Sequence, residues 1–164
     1  MFQRRGRSFP LESIMQTRAE VARKQAGQEL RSTVYSEAEI QSRVREMAQE
    51  ITEAHGPDEE LLVLGLLKGS FIFMADLVRH IHRPLQLDFL AASSYGNDTV
   101  SSGRVRLLYD PEASLEGRSV ILVEDIVDSG TTLNKLIPLL ETRGPRSLEV
   151  CALLHKRVGK LRRE

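Results

Sequence analysis

Ser119-Val120-Ile121-Leu122-Val123-Glu124-Asp125-Ile126-Val127-Asp128-Ser129-Gly130-Thr131-Thr132-Leu133 is the stretch on which the fold turns. Val120 to Val123 has the length and composition of a parallel strand buried on both faces. Two adjacent carboxylates, Glu124 and Asp125, follow it. Asp128 then opens a loop of small and hydroxylated residues, and Leu133, Leu136 and Leu140 recur behind it at helical spacing. The order is strand, acidic pair, glycine-containing loop, helix. A loop that ends at a helix N-terminus offers unpaired backbone N–H groups and the positive end of the dipole to an anion. Gly130 lets the backbone come close to that anion, and the hydroxyls of Ser129, Thr131 and Thr132 add donors. Two carboxylates at the carboxyl end of a central strand can accept hydrogen bonds from a vicinal diol, or hold water around a hard cation. Ligands of open α/β sheets bind in this region. An isolated Asp-x-Gly turn usually does no more than cap and face solvent. Here three acids and four small or hydroxylated residues fall within nine positions, which is too dense for a bare turn.

Val123 to Thr132 resembles the phosphoribosyl pyrophosphate (PRPP) motif of the type I phosphoribosyltransferases. In its Glu-Asp-Ile-Val-Asp-Ser-Gly form it is most similar to the hypoxanthine-guanine branch. It is not a Walker loop, because the Gly-x-x-x-x-Gly-Lys-Ser/Thr spacing is absent. The resemblance covers about residues 34 to 160. It implies an α/β fold with a central, mostly parallel twisted sheet flanked by helices.

Composition sets the outer bounds. At 164 residues a single domain with a normal core is the prior. A hydrophobic share of 41% and a charged share of 28% describe a soluble globular chain. With 23 basic and 23 acidic residues the net charge is zero, so no nucleic-acid partner is expected from charge. The single cysteine, Cys151, lies among Val150, Ala152 and Leu153 and reads as a buried strand thiol, in keeping with a reducing cytoplasm. The longest apolar run, Leu61 to Leu67, has seven residues, far short of a membrane span.

Residues 1 to 33 read as a loosely held extension ahead of the domain at 34 to 164. Arg4, Arg5 and Arg7 begin it, but no apolar h-region follows, so it is not a secretory signal. Glu12, Glu20 and Glu29 argue against an organelle transit peptide. Ser36-Glu37-Ala38-Glu39 forms a capping box, and Ile40, Val44, Met47 and Ile51 predict an amphipathic helix packed on the sheet. Leu61 to Leu67 is a buried strand running into Lys68-Gly69-Ser70. Phe71, Met74, Leu77, Val78 and Ile81 then mark the apolar side of a second helix. Spacing alone leaves Lys68 equally a surface lysine beside a tight turn. The resemblance makes Leu67-Lys68-Gly69 the peptide that carries a cis linkage and binds pyrophosphate.

Leu85 to Ala92 predicts a strand, and a long polar segment from Ser93 to Gly103 follows. Ser94 and Tyr95 resemble the start of the family's mobile active-site loop, whose closure would keep water from a carbocation-like centre. The plain alternative is a hairpin tip between Leu90 and Val105. Further strands are predicted over Arg104–Tyr109, Ser119–Ile126 and Ser147–Leu154, with Gly144-Pro145 ending the helix between the last two. The last strand delivers His155-Lys156-Arg157 to the ligand edge. The resemblance makes Lys156 the residue that reads the exocyclic oxygen of a 6-oxopurine; the bland alternative is one more cation in a basic tail.

Family members continue beyond that lysine with a segment that stacks on the base. Residues here run to Glu164, so the resemblance implies a chain lacking the C-terminal purine-binding segment. The implied chemistry is transfer of ribose 5-phosphate from PRPP to hypoxanthine or guanine, with pyrophosphate leaving and Mg2+ as cofactor. Lys68, Gly69, Glu124, Asp125, Asp128, Ser129, Gly130, Thr131 and Thr132 would hold PRPP. Glu124 and Asp125 would also serve the metal, directly or through water, and Asp128 would be the general base. A dimer or tetramer in the cytoplasm is implied. Two other classes compete: a PRPP- or nucleotide-sensing regulator on the same fold, and an inactive fragment.

Overall fold

A computed structural model describes residues 34–93 and 106–156. The chain divides after Ser36, and the unit from Glu37 onward holds every described helix and strand. The extension predicted over residues 1 to 33 lies outside the described residues, as do Ser94 and Tyr95.

Eight elements run in order: α1 (Glu37–Ala54), β1 (Leu61–Leu66), α2 (Phe71–Val78), β2 (Leu85–Ser93), β3 (Arg106–Tyr109), β4 (Ser119–Val127), α3 (Thr131–Glu141) and β5 (Ser147–His155). They build one five-stranded sheet in the order β3-β2-β1-β4-β5. β1, β2, β4 and β5 are parallel, and β3 returns antiparallel on β2. This is the mostly parallel, helix-flanked sheet that the resemblance implies.

Leu61, Leu62, Val63 and Leu64 are each 0% exposed, as a continuous apolar run should be when helices cover both faces. The pleat sorts neighbouring residues into two cores. Val63, Ile121 and Val123 pack beneath α1 and α2 with Met47, Met74 and Leu77. Leu62, Leu64, Val120 and Leu122 pack beneath α3 with Leu136 and Leu140. The predicted stripe of α1 holds: Val44 and Met47 are buried, while Ile40 and Ile51 pack at the margin. On α2 the stripe shifts. Phe73 takes the buried place, and Phe71 stands 52% exposed at the first helical position. Ile81 is buried but lies beyond the helix. Cys151 is buried as predicted, and burial pushes its thiol up to about 12.

The amino ends of the strands are held by Glu59. It accepts hydrogen bonds from the Ser119 hydroxyl, the Gly56 N–H, His55 and Arg146, which together lower its carboxyl to about 2. The carboxyl ends are free for a ligand. Chain order reverses between β1, which leads through α2 to β2, and β4, which leads through α3 to β5. The crevice of an open α/β sheet lies at such a switch point.

Candidate active site

β1 ends at Leu66 and β4 carries Glu124 and Asp125 at its own end, side by side across the switch point. Alternation continues the two cores outward: Asp125 falls on the α2 side and Glu124 on the α3 side. Asp125 meets the turn behind β1. A Cβ on Gly69 would stand 2.6 Å from both Asp125 carboxylate oxygens and 2.8 Å from Cγ, so only glycine lets the backbone lie against that carboxylate. The Leu67–Lys68 peptide in this turn is cis, the linkage the resemblance implies, and the Lys68 side chain is exposed beside it.

Glu124 is half-buried and its Oε2 atom has no hydrogen-bond partner among the described residues. Burial, and after it the neighbouring Asp125 carboxylate, push the Glu124 carboxyl up to about 7. The folded chain therefore holds this proton more tightly than the unfolded chain does. The resulting stabilisation is complete below the ordinary glutamate range and is lost as pH rises through about 7. Ligand-free protein should lose thermal stability between about pH 5 and about pH 8, and Glu124→Gln, which cannot ionise, should flatten that slope. Thermal midpoints measured across the range in both proteins check this; parallel profiles would remove Glu124 as the cause.

On the α3 side, Gly130 occupies the N-cap position with φ 71°, a left-handed conformation that glycine adopts without cost. Its carbonyl accepts the Asn134 N–H at 2.8 Å and starts the helix. Gly130 has no side chain to cap α3 with, and Ser129 Oγ, one residue earlier, accepts the Thr131 N–H at a long 3.4 Å. The Ser129 and Thr131 hydroxyls also bond to each other at 2.9 Å. Glu124, Asp128 and the loop Ser129–Thr132 line an open concavity of about 110 Å3 at the start of α3. Hydroxyl and amide donors there face the place where an anion would sit.

β5 brings the last predicted residue in. The register pairs Val127 with His155, and the Lys156 N–H continues the ladder onto the Val127 carbonyl at 2.9 Å. Lys156 Nζ then lies 2.9 Å from Asp128 Oδ1. The structure thus gathers Lys68, Gly69, Glu124, Asp125, Asp128 to Thr132 and Lys156 around the ends of β1, β4 and β5. Two contacts, Gly69 on Asp125 and Lys156 on Asp128, are not legible in the sequence. Each depends on strand register. The only trace of them in the sequence is that all four partners lie within two residues of the end of an apolar run.

Residues 31–164 match the family model described as "Phosphoribosyl transferase domain". The hypoxanthine-guanine phosphoribosyltransferase of Dictyostelium discoideum is 46% identical over 132 residues, which make up 79% of this chain and 73% of that protein. The chain belongs to the phosphoribosyltransferase family. Among solved structures, the Bacillus anthracis hypoxanthine-guanine phosphoribosyltransferase with HEPES in its active site is similar at a TM-score of 0.73 and 43% identity. That similarity covers 84% of this chain and 82% of the other. The Trypanosoma cruzi hypoxanthine phosphoribosyl transferase, studied for the role of its C-terminal region in oligomeric state and enzymatic activity, gives 0.71 and 38%. It covers 82% of this chain and 73% of that one. The mostly parallel, helix-flanked sheet of this phosphoribosyltransferase is thus a fold it shares with these relatives.

Proposed function

We propose that this chain is a purine-salvage phosphoribosyltransferase that joins hypoxanthine or guanine to the ribose 5-phosphate of PRPP and releases pyrophosphate. The observation that carries the reading is the meeting of two loops at one strand end: Gly69 against Asp125 on one side, the glycine-started N-terminus of α3 beside Glu124 on the other. A doubly anionic sugar needs such an arrangement, with one anion seat on each side of a diol. The 5-phosphate would take the N-terminus of α3 and the hydroxyls of Ser129, Thr131 and Thr132. The pyrophosphate would take Lys68 and the Gly69 turn. Glu124 and Asp125 would accept from the ribose hydroxyls between them and fix the reacting carbon. Ser94 and Tyr95 would begin the loop that excludes water during the reaction.

Mg2+ fits the donor set. Glu124 offers a buried oxygen without a partner and Asp125 a second carboxylate, while no group of three potential metal ligands gathers among the described residues. A magnesium ion held here would take its other oxygens from pyrophosphate and water, as this ion prefers. When bound, it supplies neutralisation of the charge that develops on the departing pyrophosphate. Asp128 accepts the purine proton as the ring nitrogen bonds to the anomeric carbon and the bond to pyrophosphate breaks. Lys156 donates to the exocyclic oxygen. An adenine would set its amino group against that ammonium, donor against donor, and be rejected.

No described helix is long and apolar enough to cross a membrane. A cytoplasmic homo-oligomer, dimer or tetramer, completes the proposal.

The test is pyrophosphate release by the purified 164-residue chain with PRPP, magnesium and one base at a time. Release with hypoxanthine and guanine but not adenine is the expected result. PRPP binding without release for any base would overturn the enzyme in favour of a sensing protein or an inactive fragment. Release with adenine at the same rate would overturn the role given to Lys156.

A further inference from the structure

Ser70 stands at the N-cap position of α2, where a serine normally turns its hydroxyl forward onto the helix. Here it does not. Its backbone is already helical, at φ −65° and ψ −13°, and its side chain makes no capping hydrogen bond. The residue is 0% exposed, and its hydroxyl points backward, donating to the Leu66 carbonyl at 2.8 Å. Leu66 is the last residue of β1. One buried hydrogen bond thus ties the end of the strand to the start of the helix and encloses Leu67, Lys68 and Gly69 in a closed loop. The loop is anchored at its entry, where Leu67 N–H reaches the Leu90 carbonyl at 2.8 Å, but beyond it only a long bond, Phe71 N–H to the Lys68 carbonyl at 3.5 Å, accompanies the Ser70 hydroxyl. Gly69 meanwhile touches the Asp125 carboxylate with no space to spare.

We infer that Ser70 is a positioning residue for the pyrophosphate side of the site, acting through the Lys68-Gly69 turn and so on Asp125; this rests on the transferase reading. Nothing in the proposed chemistry requires a serine hydroxyl at a buried helix start that it does not cap. What the hydroxyl does is set how far the turn stands from β4. Loss of that bond leaves a buried carbonyl without its partner and lets the turn relax away from Asp125. Neither the purine lysine nor the α3 anion seat is touched.

Ser70→Ala in the full chain is compared with Thr52→Ala. Thr52 carries a similar bond, Oγ1 to the Ala48 carbonyl at 2.7 Å, four residues beyond its acceptor, and its hydroxyl also accepts the His82 N–H at 3.1 Å, away from the Lys68-Gly69 turn. Ser70→Ala should raise the KM for PRPP about tenfold, as the loss of roughly one hydrogen bond predicts, and leave the KM for hypoxanthine unchanged. Amide exchange at Lys68 and Gly69 should quicken in the same variant. Thr52→Ala should do neither. Unchanged loop exchange and PRPP KM in a folded Ser70→Ala protein would overturn the proposal, as would equal changes in Thr52→Ala. If the unsubstituted chain turns nothing over, the transferase reading fails by itself, while loop exchange in the two variants still decides whether Ser70 holds the turn.

Discussion

Asp128→Asn lowers turnover by about 10²–10⁴-fold, the range that a general base supplies, and leaves PRPP affinity nearly unchanged. Asparagine keeps the size of the side chain and one acceptor oxygen, but it cannot take the purine proton. Its effect on folding should be small. The partner it gives up is Lys156, 2.9 Å away, and both side chains are about 60% exposed. Such solvated pairs contribute about 0–1 kcal/mol. A large kinetic loss therefore cannot be a stability loss in disguise, and a thermal midpoint measured beside the rates checks that. Equal losses in turnover and in PRPP binding would sink the assignment, because they would make Asp128 a sugar-phosphate ligand. The Lys156 pairing adds an order of events. Under the proposed roles, the Lys156 ammonium, which pairs with Asp128 in this structure, would move to the exocyclic oxygen of a 6-oxopurine, and the purine proton would pass to the carboxylate so released.

The strands and the anion loop were legible because their signals are local. Val120 to Val123 and Leu61 to Leu66 are apolar without alternation, and the structure buries both on two faces. The loop Asp128 to Thr132 could be assigned to a helix start because Gly130 and three hydroxyls precede a 3.6-residue leucine repeat. The structure begins α3 at Thr131. Residues that act across the sheet were less legible. Glu124 and Asp125 read as one acidic pair, yet the pleat sends them to different faces. One is left with a buried oxygen and a raised pKa, and the other is pressed on Gly69. Ser70 is the residue type of an ordinary N-cap, and its backward bond depends on where β1 stops. Phe71 looked like core, because a periodic pattern alone does not tell which turn of an eight-residue helix faces the sheet. In each case the missing information is register, which one strand cannot carry without its neighbour.

Gly69→Ala is the second large effect, and it arises from space rather than from backbone freedom, since Gly69 is not among the glycines with positive φ. The added methyl would sit 2.6 Å from both Asp125 oxygens, closer than any real Cβ contact, so one side must move. The turn is anchored at Leu67 by the Leu90 carbonyl and behind Gly69 by the Ser70 hydroxyl. The Asp125 carboxylate is the freer partner, because two single bonds let it swing out. Folding should survive that rotation with a small change in thermal midpoint. The site should not. A reacting group displaced by about 1 Å costs on the order of 10²-fold, and the loss should fall on kcat/KM for PRPP. A double-mutant cycle with Asp125→Ala isolates the cause. With the carboxylate already removed, the methyl loses its three nearest contacts, and Gly69→Ala should add little further loss. If the two substitutions instead multiply, the methyl acts through Lys68 or the turn itself, and the Gly69–Asp125 contact is not what holds the ribose site in shape.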